Sequence, residues 1–412
     1  MSHPTMSNKQ LRGQIVGLAR GGEPVDPRCP HAPPAGFCGG CTFQAVAYQD
    51  QARAKHAALR DLWAAALPAE EVARIGFVAS PDPLYYRTRM DYVASKERFG
   101  LRRGGKFNYI VDLDQCHLIP PHAFAAARTV YKRAMELGLP DYNLRSHEGF
   151  LRYVVVRRSP DDKLLLAVVT AAPDAEGARA EALERMAETA LAQPEVAGFH
   201  WLVNDSRTDI SFGRPERHWG AELLPMRVGA RTLEIGPNTF FQNNVHLLLP
   251  LLDDVKESIS REVALEPPSV ADLYGGVGTI ALHLADAAAR VVCVEAVEES
   301  AALAGRNAAA NGCGNVEALA METLAFLREQ PAGSFDVVVA DPPRTGMGPE
   351  ACRELLRLRP RRIVYVSCNP LTQLEDAREL APGYHLTRLT GYDMFPQTPH
   401  LESLGVFERS EP

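Results

Sequence analysis

The chain has 412 residues, of which 46% are hydrophobic, and a formal net charge of −7. This size suits two or three domains with ordinary buried cores. No stretch approaches the roughly 20 uninterrupted apolar residues of a membrane span, and the N-terminal MSHPTMSNKQ lacks the basic-then-apolar order of a signal peptide, so a cytoplasmic protein is expected. Residues 20–41 are rich in Gly and Pro, carry Cys29, Cys38 and Cys41, and show no periodic core signal; such a segment needs an external staple. The run at 44–67 has apolar residues at helical spacing, and Pro68 ends the predicted helix. From about 72 to 229, short strand-like runs recur: RIGFVA, MDYVAS, YIVDL, RYVVVRR, KLLLAVVT and GFHWLVN. Helical stretches at 121–137 and 173–192 interrupt them. An α+β domain with a largely antiparallel sheet is expected.

The pattern changes after about 232. Apolar runs such as SVADLY, RVVCVEA, FDVVVAD and RIVYVSC now alternate with helical segments, one of them near 349–358. Near-continuous Val/Ile runs joined by helices argue for a parallel sheet covered on both faces. The expected division is a cysteine-rich segment and helix at 1–71, a central α+β domain at 72–231 and an α/β domain at 232–412.

The run DLYGGVGT at 272–279 stands between a strand and a helix. Glycines at such a turn let a ligand approach the backbone. The spacing is not that of a dinucleotide fingerprint. Glu295 ends the next strand, where a carboxylate can accept both ribose hydroxyls. With Asp272 it suits the adenosine and methionine parts of S-adenosylmethionine. DPPRTGM at 341–347 follows a further strand, and its two prolines make a rigid loop. Ligands of open parallel sheets bind beyond the carboxyl ends of the strands, where Asp272, Glu295 and Asp341 are expected.

SCNP at 367–370 places Cys368 at that same edge, past the buried run RIVYV. Cys293, inside VVCVEA, reads instead as a small apolar core residue. His400 and Glu402 stand just before the last strand-like run, and a carboxylate near a nucleophile can serve as a general base. A methyltransferase needs a thiolate when its target is an electron-poor carbon. Addition of sulfur to C6 of a pyrimidine turns C5 into a nucleophile. After methyl transfer, a base removes the C5 proton and the thiol leaves.

These residues together resemble the RNA 5-methyluridine methyltransferases. The likeness is carried by FFQNN at 240–244, DLYGGVGT, VEAVEES, DPPRTGM, SCNP and FPQTPHLES. It implies a Rossmann-like class I methyltransferase domain, with Cys368 as nucleophile and Glu402 as base. It implies Gln242, Tyr274, Glu295 and Asp341 as contacts to S-adenosylmethionine. Cys29, Cys38 and Cys41 read C-x8-C-x2-C, with Cys116 later. Four thiolates suit either zinc or an iron–sulfur cluster, and the resemblance implies a [4Fe–4S] cluster. The long first spacing, and the few residues before Cys29, point to the 23S ribosomal RNA branch before a transfer-RNA enzyme.

The target uridine must swing out to meet Cys368. Three basic groups are candidates for phosphate contacts or for plain solvated faces: Arg87, Arg89, Arg98, Arg102, Arg103 and Lys106; Arg152, Arg157 and Arg158; and Arg357, Arg359, Arg361 and Arg362. No obligate protein partner is evident, and a monomer is the default. A nitrogen-directed methyltransferase would explain the acidic turn but not SCNP with HLES. A non-catalytic RNA-binding iron–sulfur protein is the reading from another class. A radical enzyme needs an open iron site, which Cys116 as a fourth ligand would close.

Overall fold

The computed structural model describes residues 6–172, 178–260 and 266–410. Three helices, α1 (Asn8–Ala19), α2 (Tyr48–Trp63) and α3 (Ala69–Ala73), lead into β1 (Gly76–Val78). Then come β2 (Arg89–Ala94), β3 (Phe99–Arg103), β4 (Lys106–Asp112), α4 (Pro121–Glu136), β5 (Leu151–Arg158), β6 (Leu164–Thr170), α5 (Ala178–Leu191), β7 (Val196–Val203) and β8 (Arg214–Gly220). A hairpin of β9 (Leu224–Val228) and β10 (Arg231–Ile235) precedes α6 (Leu248–Ser260). The rest alternates: β11 (Ser269–Leu273), α7 (Thr279–Leu284), β12 (Arg290–Glu295), α8 (Glu298–Ala310), β13 (Val316–Ala320), α9 (Thr323–Glu329), β14 (Val337–Ala340), α10 (Gly348–Leu358), β15 (Arg362–Ser367), α11 (Pro370–Leu380), β16 (Tyr384–Tyr392) and β17 (Glu402–Arg409).

Two large sheets result. The catalytic sheet has the order β1-β16-β17-β15-β14-β11-β12-β13. The run from β13 to β15 is parallel, and β17 enters antiparallel between β15 and β16. Helices cover both faces, so β14 and β15 are buried along their whole length, as near-continuous apolar strands require. The order reverses between β11 and β14, which opens a crevice beyond their carboxyl ends. The central sheet, β4-β3-β2-β5-β6-β7-β8, is antiparallel except for β6 and β7, which run parallel across α5. Residues 173–177 of the helix expected over 173–192 lie outside the described residues.

The expected boundaries cut the chain differently from the sheets. The run RIGFVA belongs to the catalytic sheet, where β1 pairs parallel with β16. Helices α1 and α2 bury Leu11, Ile15, Leu59 and Trp63 in the same core as Leu273, Val338 and Tyr365. Lys55 on α2 makes a fully buried ion pair of 2.5 Å with Asp393. The hairpin of β9 and β10 also packs on the catalytic side, with Leu224, Met226 and Leu233 beside Val277 and Leu303. A boundary at 231/232 would split it. The central body is therefore inserted between two pieces of one α/β body. Helix α1 was not expected, although Ser7-x-x-Gln10 spells the capping box that starts it.

Candidate active site

The glycine turn after β11 is built by steric demand. A Cβ on Gly275 would stand 2.3 Å from the Cys293 sulfur, so only glycine fits there. Gly278 takes φ +86° to start α7. Between them the backbone N–H of Gly276 donates to the Glu295 carboxylate at 3.0 Å, and that of Val297 donates to it at 2.7 Å. Asp272 does not line the ligand crevice: it accepts from the Ala281 N–H behind the turn, and burial pushes its carboxyl up to about 8. It braces the turn. Tyr274 holds φ +61°, a left-handed conformation that is costly for a bulky side chain.

One cavity of about 1110 Å³ lies over this edge, lined by Gln242, Tyr274, Glu295, Asp341, Cys368 and Glu402 among others. It exceeds the usual upper size of a small-molecule pocket, leaving room for two ligands side by side. The Gln242 amide donates to Asp341 at 2.9 Å. Burial raises Asp341 to about 7, which the Gln242 hydrogen bond partly offsets. Glu402 opens β17 and is buried; loss of water and the nearby Asp341 carboxylate raise it well above the usual carboxylate range.

Cys368 follows the buried strand β15 and is partly exposed. The turn that presents it is locked: Asn369 N–H donates to Ser367 Oγ at 3.1 Å, and Asn369 Nδ2 donates to the Arg344 carbonyl at 2.8 Å. Burial pushes the thiol up to about 12, with Glu402 and Asp341 adding to the rise. The Arg344 guanidinium beside it works the other way. Neighbouring His400 is pushed down to about 4 by burial and by Arg344, so it is neutral near pH 7. A thiol, a buried acid and an arginine thus share one cavity wall.

A family model described as tRNA (Uracil-5-)-methyltransferase matches residues 222–410. An RNA methyltransferase of Caldanaerobacter subterraneus is 32% identical over 97% of this chain and 89% of its own length. The tRNA (uracil(54)-C(5))-methyltransferase of Pyrococcus abyssi is 32% identical over 92% of this chain and 85% of its own. The crystal structure of that Pyrococcus abyssi activity, in complex with S-adenosyl-L-homocysteine, superposes with a TM-score of 0.74 at 29% identity, covering 90% of this chain and 86% of that one. The chain belongs to the RNA uracil-C5 methyltransferase family. It is an S-adenosylmethionine-dependent enzyme.

Several parts of this methyltransferase were not read from its sequence. Arg344 sits inside the DPPRTGM motif, yet its place beside the thiol follows only from the fold. Phe240, 64% exposed, and Phe212 stand at the cavity mouth, and the Arg89 guanidinium lies 4.4 Å from the Phe212 ring centre. The basic groups behave differently from expectation. Arg152, Arg157 and Arg158 are buried. Arg152 donates to the Asn204 and Ser206 carbonyls, Arg157 to that of Thr239, and Arg158 to Asp162 and Tyr85. They brace loops and do not face phosphates. In the third group, Arg357, Arg361 and Arg362 pair with Glu354, Asp336 and Glu408.

Cys29, Cys38, Cys41 and Cys116 are all buried in the central core and line one small cavity. Among the described residues no three His, Cys, Asp or Glu side chains converge closely enough to hold a metal ion. Burial raises all four thiols, Cys38 and Cys41 to about 12. Arg87 is half-buried beside them, facing Tyr86, Cys116 and Cys41, and its Nε is enclosed with no hydrogen-bond partner among the described residues.

Proposed function

We propose that this enzyme methylates C5 of a uridine in RNA through a covalent bond between Cys368 Sγ and C6, with Glu402 as the base. The observation that carries the proposal is the shared cavity. Cys368 and Glu402 open onto the same space as Gln242, Tyr274, Glu295 and Asp341. The half-buried Asp341 and buried Glu402 carboxylates suit a cationic sulfonium, and Glu295 with the glycine turn suits a nucleoside. When bound, S-adenosylmethionine supplies the methyl group and a positive charge that favours the anionic forms of these side chains. Arg344 favours the Cys368 thiolate. The thiolate adds to C6, and the electron pair of the C5–C6 bond makes C5 the nucleophile for methyl transfer. The Glu402 carboxylate then takes the C5 proton, the double bond re-forms and Cys368 leaves. RNA carrying 5-fluorouridine tests this, because fluorine cannot be removed as a proton. A denaturation-stable protein–RNA adduct is expected, lost in Cys368→Ala. A nitrogen-directed enzyme would give none.

Relatives from Pyrococcus abyssi and Pyrococcus horikoshii are named tRNA (uracil(54)-C(5))-methyltransferases, which supports a transfer-RNA uridine as the substrate. The cysteine spacing supports 23S ribosomal RNA as the second reading. Mapping 5-methyluridine in both RNAs from a strain lacking the gene decides between them.

For the four cysteines we favour a [4Fe–4S] cluster over zinc. The thiols ring a cavity instead of meeting at a point. Four neutral thiols would also leave the half-buried Arg87 charge without a counter-ion beside them, whereas thiolates held by a cluster would neutralise it. Such a cluster would staple the loop 29–41 to Cys116. Iron and sulfide analysis of anaerobically purified protein, compared with Cys38→Ser, tests this. Stoichiometric zinc would refute it.

A further inference from the structure

The tip of the central sheet carries a feature that the methyl-transfer reaction does not use. Phe37, next to Cys38 in the cysteine loop, is 55% exposed, and Tyr109 on β4 is 42% exposed. The Arg103 guanidinium lies 4.0 Å from the Phe37 ring centre and 5.7 Å from that of Tyr109. The Arg98 guanidinium lies 4.5 Å from the Tyr109 ring centre. Phe37, Arg103, Tyr109 and Arg98 therefore form a run of alternating rings and guanidinium planes. Two large aromatics left open to water need a reason, since exposed apolar groups on one patch mark binding surfaces.

The surroundings narrow the partner. Between residues 96 and 106 the sequence carries five cationic residues and one acidic residue, in a chain whose net charge is −7. Positive charge concentrated against that balance fits a polyanion. Flat π-faces and guanidinium planes are the surfaces on which unpaired bases stack. The patch is also rigid. Gly104 N–H donates to the Phe37 carbonyl at 3.0 Å, and Gly39 N–H donates to the Arg102 carbonyl at 2.9 Å. It is continuous with the active-site wall: Arg102 pairs with Asp209 at 2.6 Å, next to Ile210, which lines the large cavity.

We propose that the stack of Phe37, Arg103, Tyr109 and Arg98 is a binding platform for unpaired RNA flanking the target uridine. Bases stack on Phe37 and Tyr109, while the basic hairpin holds the backbone. This deepens the functional reading above and rests on it, since it takes RNA as the substrate. The cysteine site gains a role: it fixes the loop that presents Phe37.

The test uses full-length protein, a fluorescently labelled single-stranded RNA and the duplex formed with its complement. Phe37→Ala and Tyr109→Ala are each expected to weaken single-strand binding about ten-fold, with duplex binding changed by less than about two-fold. Phe37→Trp is expected to retain binding. S-adenosylhomocysteine affinity, measured on every variant, reports the integrity of the catalytic body. Wild-type affinity in both alanine variants overturns the platform, and so does a parallel loss of RNA and S-adenosylhomocysteine binding, which marks the residues as structural. A wild-type protein that binds S-adenosylhomocysteine but no RNA defeats the functional reading as well.

Discussion

The two sheets use their residues in opposite ways. The catalytic sheet concentrates its chemistry at one edge, where parallel strands all point their carboxyl ends: Tyr274 follows β11, Glu295 ends β12, Asp341 follows β14 and Cys368 follows β15. Burial there raises Asp341, Glu402 and Cys368 together. The central sheet has no such common edge. It buries Arg152, Arg157 and Arg158 as braces, and at one tip the exposed rings of Tyr109 and of Phe37 in the cysteine loop flank the half-buried Arg103. One body gathers its titratable groups around a shared cavity, and the other, on the proposal made above, holds a shape against RNA.

The sharpest way to break this contrast is to remove the sulfur. Cys368→Ala is expected to lower methyl transfer about a thousand-fold or more while S-adenosylhomocysteine still binds; substantial residual methylation in a single-turnover assay would end the covalent mechanism. Glu402→Gln is expected to slow turnover by about 10²–10⁴, and, because elimination needs the base, to accumulate a methylated RNA adduct on denaturing gels. Faster release than in the wild type would contradict the assignment. Lys55→Met tests whether α2 belongs to the catalytic body. It leaves Asp393 buried without its cation and is expected to cost about 3–5 kcal/mol in urea unfolding; a neutral outcome would detach the helix from that core. The smallest effect is on pH. Cys368 is raised to about 12 and Asp341 to about 7, so both lose protons as pH rises. kcat/KM should therefore climb more than ten-fold per unit below about pH 7, and about ten-fold per unit from there to about pH 9. A falling profile would exclude a thiolate formed in the free enzyme.

The residues legible in the sequence were those whose role is set locally. A strand followed by a glycine turn, or by Ser-Cys-Asn-Pro, announces its own position at a sheet edge, and Gln242, Tyr274, Glu295, Asp341, Cys368 and Glu402 do line one cavity. Asp272 misled because it shares that edge in sequence but turns its carboxylate inward to Ala281. Partnerships between distant segments were hidden. Nothing near Lys55 announces Asp393, and nothing near Phe37 announces Arg103. Periodicity also cannot tell which sheet a short strand joins, so β1 was assigned to its sequence neighbours when its hydrogen bonds go to β16. The arginines showed the same blindness: a basic cluster reads alike whether solvated or, as with Arg157, fully enclosed.

The pairing of β1 with β16 has a consequence for biosynthesis. Residues 76–78 leave the ribosome some three hundred residues before their partner at 390–392. The leading helices cannot take their final seats until translation is nearly finished, whereas the inserted body, whose strands are contiguous in the chain, can close first. A fragment beginning at the start of the family match would be born without its outermost strand and without the lysine that neutralises Asp393, which makes the intact polypeptide the smallest sensible unit for expression.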